Sequence, residues 1–419
     1  MKITGVERIP VDVGYKPRPD VHMARELWNW SISEVIRVTT DSGIVGYGET
    51  LPHYTWGRVT EAAEKKVIGK SPLELLWDDS LGAGLQMAVW DAAGKAAEVP
   101  CYRLIGAKAR EECPISWWAI DMPPADWAAE AKDAVEEGYT SFKLKARPWF
   151  DIVEQVRAIC EVVPSWFKLD VDFNALLLDH GHAMAVLQKL EAFSNVVIFE
   201  TPIWQHDIEG SRQVRNKTTR PISMHFGSPP FLTAVKEEVC DGFVIGGGAA
   251  AIVRQGLLAA EAQKPFWLQM VGTGLTTTFA LHFGAALTHA RWPAVTCLNM
   301  YADDLIVEPV EVVNGFARVP EAPGLGITVD EEALERLRLP SSDAKPETRR
   351  LLTVVWPEGR RVHYAHAMQM YNDFWAGNQP VFEPGVTLTW REDDGSAEFD
   401  DLLKRADESP VSREKPRPY

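Results

Sequence analysis

The 419-residue chain contains no run of roughly 18 apolar residues, and its opening Met1-Lys2-Ile3-Thr4-Gly5-Val6 lacks the apolar core of a secretory signal. A cytoplasmic protein without a membrane segment is expected. Cysteine is scarce: Cys101, Cys113, Cys160, Cys240 and Cys297 are scattered, odd in number and without CxxC spacing. Neither a disulfide framework nor a cysteine zinc site is indicated, and buried free thiols are expected. Positive charge is in deficit, with 43 Lys and Arg against 59 Asp and Glu, a formal net charge of −16. Taken as a whole, such a surface repels nucleic acid and anionic lipid, so an anionic substrate needs a local cationic pocket. Internal repeats and low-complexity tracts are also missing.

What is present is an ordinary globular composition, 46% hydrophobic and 24% charged, enough for a large core. Lys2 to Val13 and Ser33 to Gly48 alternate apolar and polar residues around the turn Thr40-Asp41-Ser42-Gly43, which predicts an antiparallel sheet. Leu81, Leu85, Met87, Ala88 and Ala92 recur at helical spacing between Ser80 and Ala97. Residues 1–112 therefore read as a small α+β capping unit. After Cys113, short apolar strands at Pro114–Trp118, Ser141–Lys145, Trp166–Val171, Val196–Phe199, Pro221–Met224, Gly242–Ile245, Pro265–Leu268 and Ala294–Leu298 alternate with helical stretches such as Pro124–Glu137, Ile152–Val163, His182–Phe193 and Ala249–Ala262. This pattern fits a parallel (β/α) TIM-like barrel over 113–335, closing with the return loop Pro323-Gly324-Leu325-Gly326-Ile327, better than an open sheet. Beyond Pro340, Leu351–Trp356, Arg361–His366, Ala367–Trp375 and Val386–Trp390 predict a small C-terminal α/β extension, 336–419, whose polar end Pro410–Tyr419 is too proline-rich to fold alone.

Active sites of such barrels lie at the C-terminal ends of the strands. The second barrel strand ends Lys143-Leu144-Lys145, and period-two geometry puts both ammonium groups on one side. If that side is the interior, mutual repulsion lowers at least one pKa and yields a neutral amine as a base; the alternative is two solvated lysines on an edge. The third strand ends Asp170-Val171-Asp172-Phe173-Asn174 and the fourth Phe199-Glu200-Thr201-Pro202. Acids pushed into a barrel mouth need a partner, either a hard divalent cation held by Asp172 and Glu200 or the two lysines themselves.

The order Lys143-x-Lys145, Asp172-x-Asn174, Glu200-x-Pro202 resembles the mandelate racemase and muconate lactonizing enzyme branch of the enolase superfamily. So do Met87–Lys95 before Leu104-Ile105-Gly106, the run Gly46-Tyr47-Gly48-Glu49, and Pro323–Gly326. The resemblance spans about residues 1–335 and implies a capping domain over a barrel, a lysine that removes the α-proton of a carboxylate, and a divalent ion, Mg²⁺ in the family, stabilising an enediolate. Residues 336–419 lie outside it.

Four positions depart from that pattern. Where the family has a third metal-binding acid on the fifth strand, this chain has His225, which suits Zn²⁺, Mn²⁺ or Fe²⁺ better than Mg²⁺, supplies positive charge to a metal-free site, or is merely a core histidine. The sixth strand ends in Gly246-Gly247-Gly248 where relatives carry a lysine or an acid; the seventh offers Gln269 and the eighth Asn299, which can hydrogen-bond but not shuttle a proton.

The resulting expectation is a dehydratase-like lyase or a cycloisomerase acting on a small organic acid, with Lys143, Lys145 and His225 catalytic and Asp172, Glu200 and His225 as metal ligands, the metal being divalent or dispensable. Asn174, Gln269, Asn299, Trp28, Trp30 and Trp117 are the expected substrate contacts. Sixteen tryptophans, among them also Trp56, Trp118 and Trp149, suggest an apolar or cationic pocket, or ordinary packing. A homo-oligomer is expected, without nucleic acid or membrane partners. The competing readings are a catalytically silent relative kept for binding or assembly, a racemase or epimerase of the same family, and Schiff-base chemistry by Lys145.

Overall fold

The computed structural model describes residues 1–54, 57–408 and 412–413, so Trp56 lies outside the described residues. Strands β1 (Ile3–Asp12), β2 (Ile32–Thr40) and β3 (Val45–Thr50) form an antiparallel sheet in that order, as the alternation predicts. The helix Ala83–Ala96 lies directly on β3. Glycine is required there: a Cβ on Gly46 or Gly48 would sit 2.1 Å from the carbonyl oxygen of Ala88 or Gly84.

Eight parallel strands come next: β4 (Glu112–Ala119), β5 (Ser141–Lys145), β6 (Lys168–Asp172), β7 (Val196–Glu200), β8 (Ile222–His225), β9 (Gly242–Ile245), β10 (Phe266–Leu268) and β11 (Ala294–Val295). Each of β4 to β9 pairs with the next in chain order, β11 pairs back to β4, and a bridge from Gln269 to Val295 joins the end of β10 to β11. The sheet thus curls into a barrel, with helices between its strands as βα units require. The last strand is shorter than expected, because Cys297 adopts φ 59° and turns the chain into a 3₁₀ turn at Leu298–Met300.

In the C-terminal region, Arg350–Val355, Arg361–Tyr364, Thr387–Glu392 and Ser412–Arg413 make a four-stranded antiparallel sheet with the helix Ala367–Trp375. A second helix, Ala397–Glu408, adds to the elements the sequence predicts; Ser396 caps it by accepting from Phe399 N at 3.1 Å, and Phe399 and Ala406 pack on Leu351 and Ala365. Ser412–Arg413 pair with His363 and Val362, and the rest of Pro410–Tyr419 lies outside the described residues. One continuous apolar core runs from Ile3 through the barrel to Leu388. All five cysteines are free, and among the described residues no helix is long and apolar enough to cross a membrane.

Candidate active site

Along β5, Phe142 and Leu144 face the helices while Lys143 and Lys145 face the interior. The direction is set by the partners: Lys143 Nζ donates to Gln269 Oε1 at 2.9 Å, beyond β10 and across the barrel. Register then fixes the neighbours, since parallel pairing sets Lys143 beside Asp170, Lys145 beside Asp172, and Asp172 beside Glu200. The expected gathering of two amines and two acids at one rim is present.

The contacts are close. Lys143 Nζ lies 2.5 Å from Glu200 and 3.6 Å from Asp172, and Lys145 Nζ lies 2.6 Å from Asp172. Asn174, at φ 44°, accepts from Lys145 at 3.2 Å. Burial separates the lysines: the Lys143 side chain is 1% exposed, over the Trp267 ring at 5.1 Å, whereas Lys145 is 16% exposed and open to the mouth. His225 Nε2 lies 3.2 Å from Glu200 Oε1 with its side chain 42% exposed, so the histidine stands at the rim rather than in the core.

At Lys143 burial disfavours the charge, but Glu200, Asp172 and Asp170 outweigh burial and push the pKa up, so repulsion from Lys145 does not govern this amine. Burial likewise opposes ionisation of Asp172, yet Lys145, Lys143 and Arg147 hold its carboxyl well below the usual range. Asp170 goes the other way, driven well up by burial and by Glu200. Its Oδ1 lacks a hydrogen-bond partner.

Several anticipated contacts are displaced. Trp117 points out of the barrel and donates to Glu130 Oε2 at 2.9 Å; the inward residue is Trp118. Asn299 spends both ends of its amide on the backbone of Trp118, at 3.1 and 2.9 Å, and closes the ladder between β11 and β4 instead of facing a ligand. Trp28 turns to the C-terminal region, donating to Lys345 O at 2.9 Å. Trp30 does reach the mouth, edge-on to Tyr54 at 4.4 Å and stacked at 6.3 Å over Trp118. Gln269 links this aromatic wall to the lysines, donating to Tyr54 OH at 3.2 Å.

Two residues of the site are absent from the sequence expectation although the period-two rule reaches them: Asp170, two before Asp172, and Arg147, two after Lys145. Arg147 is 4% exposed and donates to Asn174 Oδ1 at 3.0 Å, to Ala146 O at 2.9 Å and to Tyr371 OH at 2.5 Å. Tyr371 in turn donates to Glu26 at 3.1 Å, and Trp375 Nε1 to Asn174 O at 3.2 Å. The C-terminal region thereby braces the loop that carries Asn174.

The donor set does not suit Mg²⁺, which demands near-octahedral oxygen ligands at about 2.0–2.1 Å. Asp172 and Glu200 are each held by an ammonium, and the third position offers imidazole nitrogen. Among the described residues no group of three His, Cys, Asp or Glu side chains is placed to hold a metal ion.

Residues 126–333 match the family model "Enolase C-terminal domain-like". The chain is 25% identical over 336 residues to the N-succinyl-L-Arg/Lys racemase of Bacillus cereus, spanning 73% of this chain and 90% of that one. It is 24% identical over 363 residues to the D-gluconate dehydratase of Thermoproteus tenax, covering 75% and 71%. A mandelate racemase/muconate lactonizing family protein from Azoarcus superposes with a TM-score of 0.67 at 24% identity, over 81% of this chain and 98% of that chain. Barrel, strand order and these matches agree, and the chain is a member of the enolase superfamily, with the enzymes of the mandelate racemase and muconate lactonizing branch as its relatives.

Proposed function

We propose that this chain removes the α-proton of a small carboxylic acid with Lys145 and lets a β-substituent leave or migrate, as a dehydratase-like lyase or a cycloisomerase does. The single observation that carries this reading is the one-sidedness of the mouth. Lys145 is the partly exposed amine, anchored by Asp172 and Asn174. Across from it, the ends of β9 to β11 present Gly246–Gly248, Gln269 and Cys297, while Asn299 is spent on the Trp118 backbone. None is an effective base: the amides do not titrate usefully, and burial pushes the Cys297 thiol up to about 12. Inverting a stereocentre by proton transfer needs a partner on both faces of the carbon, so the arrangement disfavours a racemase although one relative bears that name.

In this reading Lys143, held charged by Glu200 and Asp172, faces the substrate carboxylate and stabilises the charge that develops as the proton leaves. Gln269 fixes Lys143, and Trp30, Tyr54 and Trp118 form an apolar wall beside it. Superfamily membership implies a divalent ion, typically Mg²⁺, but the residues present do not fit that ion, and no step here passes through it. The test is a screen of sugar acids and hydroxy or amino acids, followed by proton NMR of the α-hydrogen in D₂O. Lys145→Ala should abolish exchange while the fold is retained; exchange at the native rate in that variant overturns the assignment.

A further inference from the structure

The two inward acids that would anchor a metal are already matched in charge. Asp172 lies 2.6 Å from Lys145, and Glu200 lies 2.5 Å from Lys143 and 3.2 Å from the His225 imidazole. Asp172 uses a further lone pair on the backbone N–H of Asn174 at 3.0 Å. Lys143 has nowhere to retreat: it is 1% exposed and fixed on three sides by Glu200, Gln269 and the Trp267 ring. A divalent ion between these carboxylates would displace an ammonium from a buried site or add two uncompensated charges to it, and either is costly.

We propose that this site works without a resident divalent cation, with the Lys143 ammonium and the His225 imidazole N–H donating the hydrogen bonds that hold the substrate carboxylate and its enediolate. Lys143 Nζ meets Glu200 at Oε2 from the buried side and His225 Nε2 meets it at Oε1 from the exposed side, so the two nitrogens flank one carboxylate. Such a pair of donors binds a planar dianion by hydrogen bonds, charge-assisted at Lys143, in place of metal coordination. The proposal rests on the mouth being the catalytic site. Its test reads metal and anion binding, not turnover, so it can fail while the role of Lys145 stands.

Protein purified without chelator is assayed for metals by mass spectrometry, and oxalate, a stable planar mimic of an enediolate, is titrated calorimetrically with EDTA present and with added Mg²⁺, Mn²⁺ or Zn²⁺. The expected result is substoichiometric metal and oxalate affinity unchanged by EDTA, weakened roughly tenfold in His225→Gln, whose thermal midpoint reports whether the fold is intact. Stoichiometric metal in the native protein overturns the proposal. So does oxalate binding that needs an added ion, or no oxalate binding under any condition.

Discussion

The barrel mouth has two unlike arcs. Strands β5 to β8 deliver Lys143, Lys145, Arg147, Asp170, Asp172, Glu200 and His225, whereas β9 to β11 deliver glycines, Gln269, Cys297 and Asn299. The second arc is quiet because its loops dock the N-terminal region. Asp79 accepts from the backbone N–H groups of Ala250 and Ala251, each at 2.9 Å, and Gln86 from Ala249 at 2.9 Å, capping the helix Ala249–Glu261 from outside the barrel. Glu49 does the same for the helix Gly274–Ala286, accepting from Thr273 N and Thr276 N and from both threonine hydroxyls. Carboxylates at helix N-termini are favoured by the exposed amide dipoles. Gly248 makes room, since a Cβ there would lie 2.4 Å from the Asp79 carboxyl carbon. One arc holds the charges of the proposed chemistry and the other holds the cap.

That division can be broken by substitution. The largest effect is expected on the charged arc: Lys145→Ala should lower α-hydrogen exchange by about three orders of magnitude in protein that circular dichroism shows to be folded. On the quiet arc the balance reverses. Gly248→Ala should cost about 2 kcal/mol of stability, read by urea unfolding, as the new methyl group forces Asp79 away, while turnover per folded molecule stays within a few-fold. Gln269 is the seam between the arcs; Gln269→Leu removes an acceptor from the buried Lys143 and should slow exchange about tenfold.

The smallest effect concerns His282, buried in the helix Gly274–Ala286 between the Tyr102 amide at 3.3 Å and Leu325 O at 3.0 Å. Burial pushes its pKa down to about 4 from the ordinary 6.5, so the unfolded chain takes up the proton first. Its contribution is complete above that ordinary value and is lost as pH falls toward the folded one; at about pH 5.5 the loss is roughly 1 kcal/mol. His282→Gln should remove that part of the acid sensitivity of the urea midpoint, relative to the native protein.

Much of the charged arc is legible in the sequence because period-two alternation and strand ends suffice to place Lys143, Lys145, Asp172 and Glu200 on one rim. The same rule, carried one step further along each strand, reaches Asp170 and Arg147. Trp117 and Trp118 are harder: β4 is buried on both faces, so neighbouring tryptophans give no polarity cue to which one looks inward. Asn299 looks like a ligand contact from sequence because nothing local reveals that the barrel closes through its side-chain amide. Tyr371 contacts Arg147 from 224 positions away, and no short-range pattern announces such a brace.

Chemistry confined to one face of the substrate is the central claim. Its most direct measurement is the configuration of the α-carbon after incubation in D₂O with any acid the screen finds to exchange, resolved on a chiral column. Deuterium entering with a single configuration, with no enantiomer or epimer formed, is the predicted result; deuterium in both configurations would contradict it.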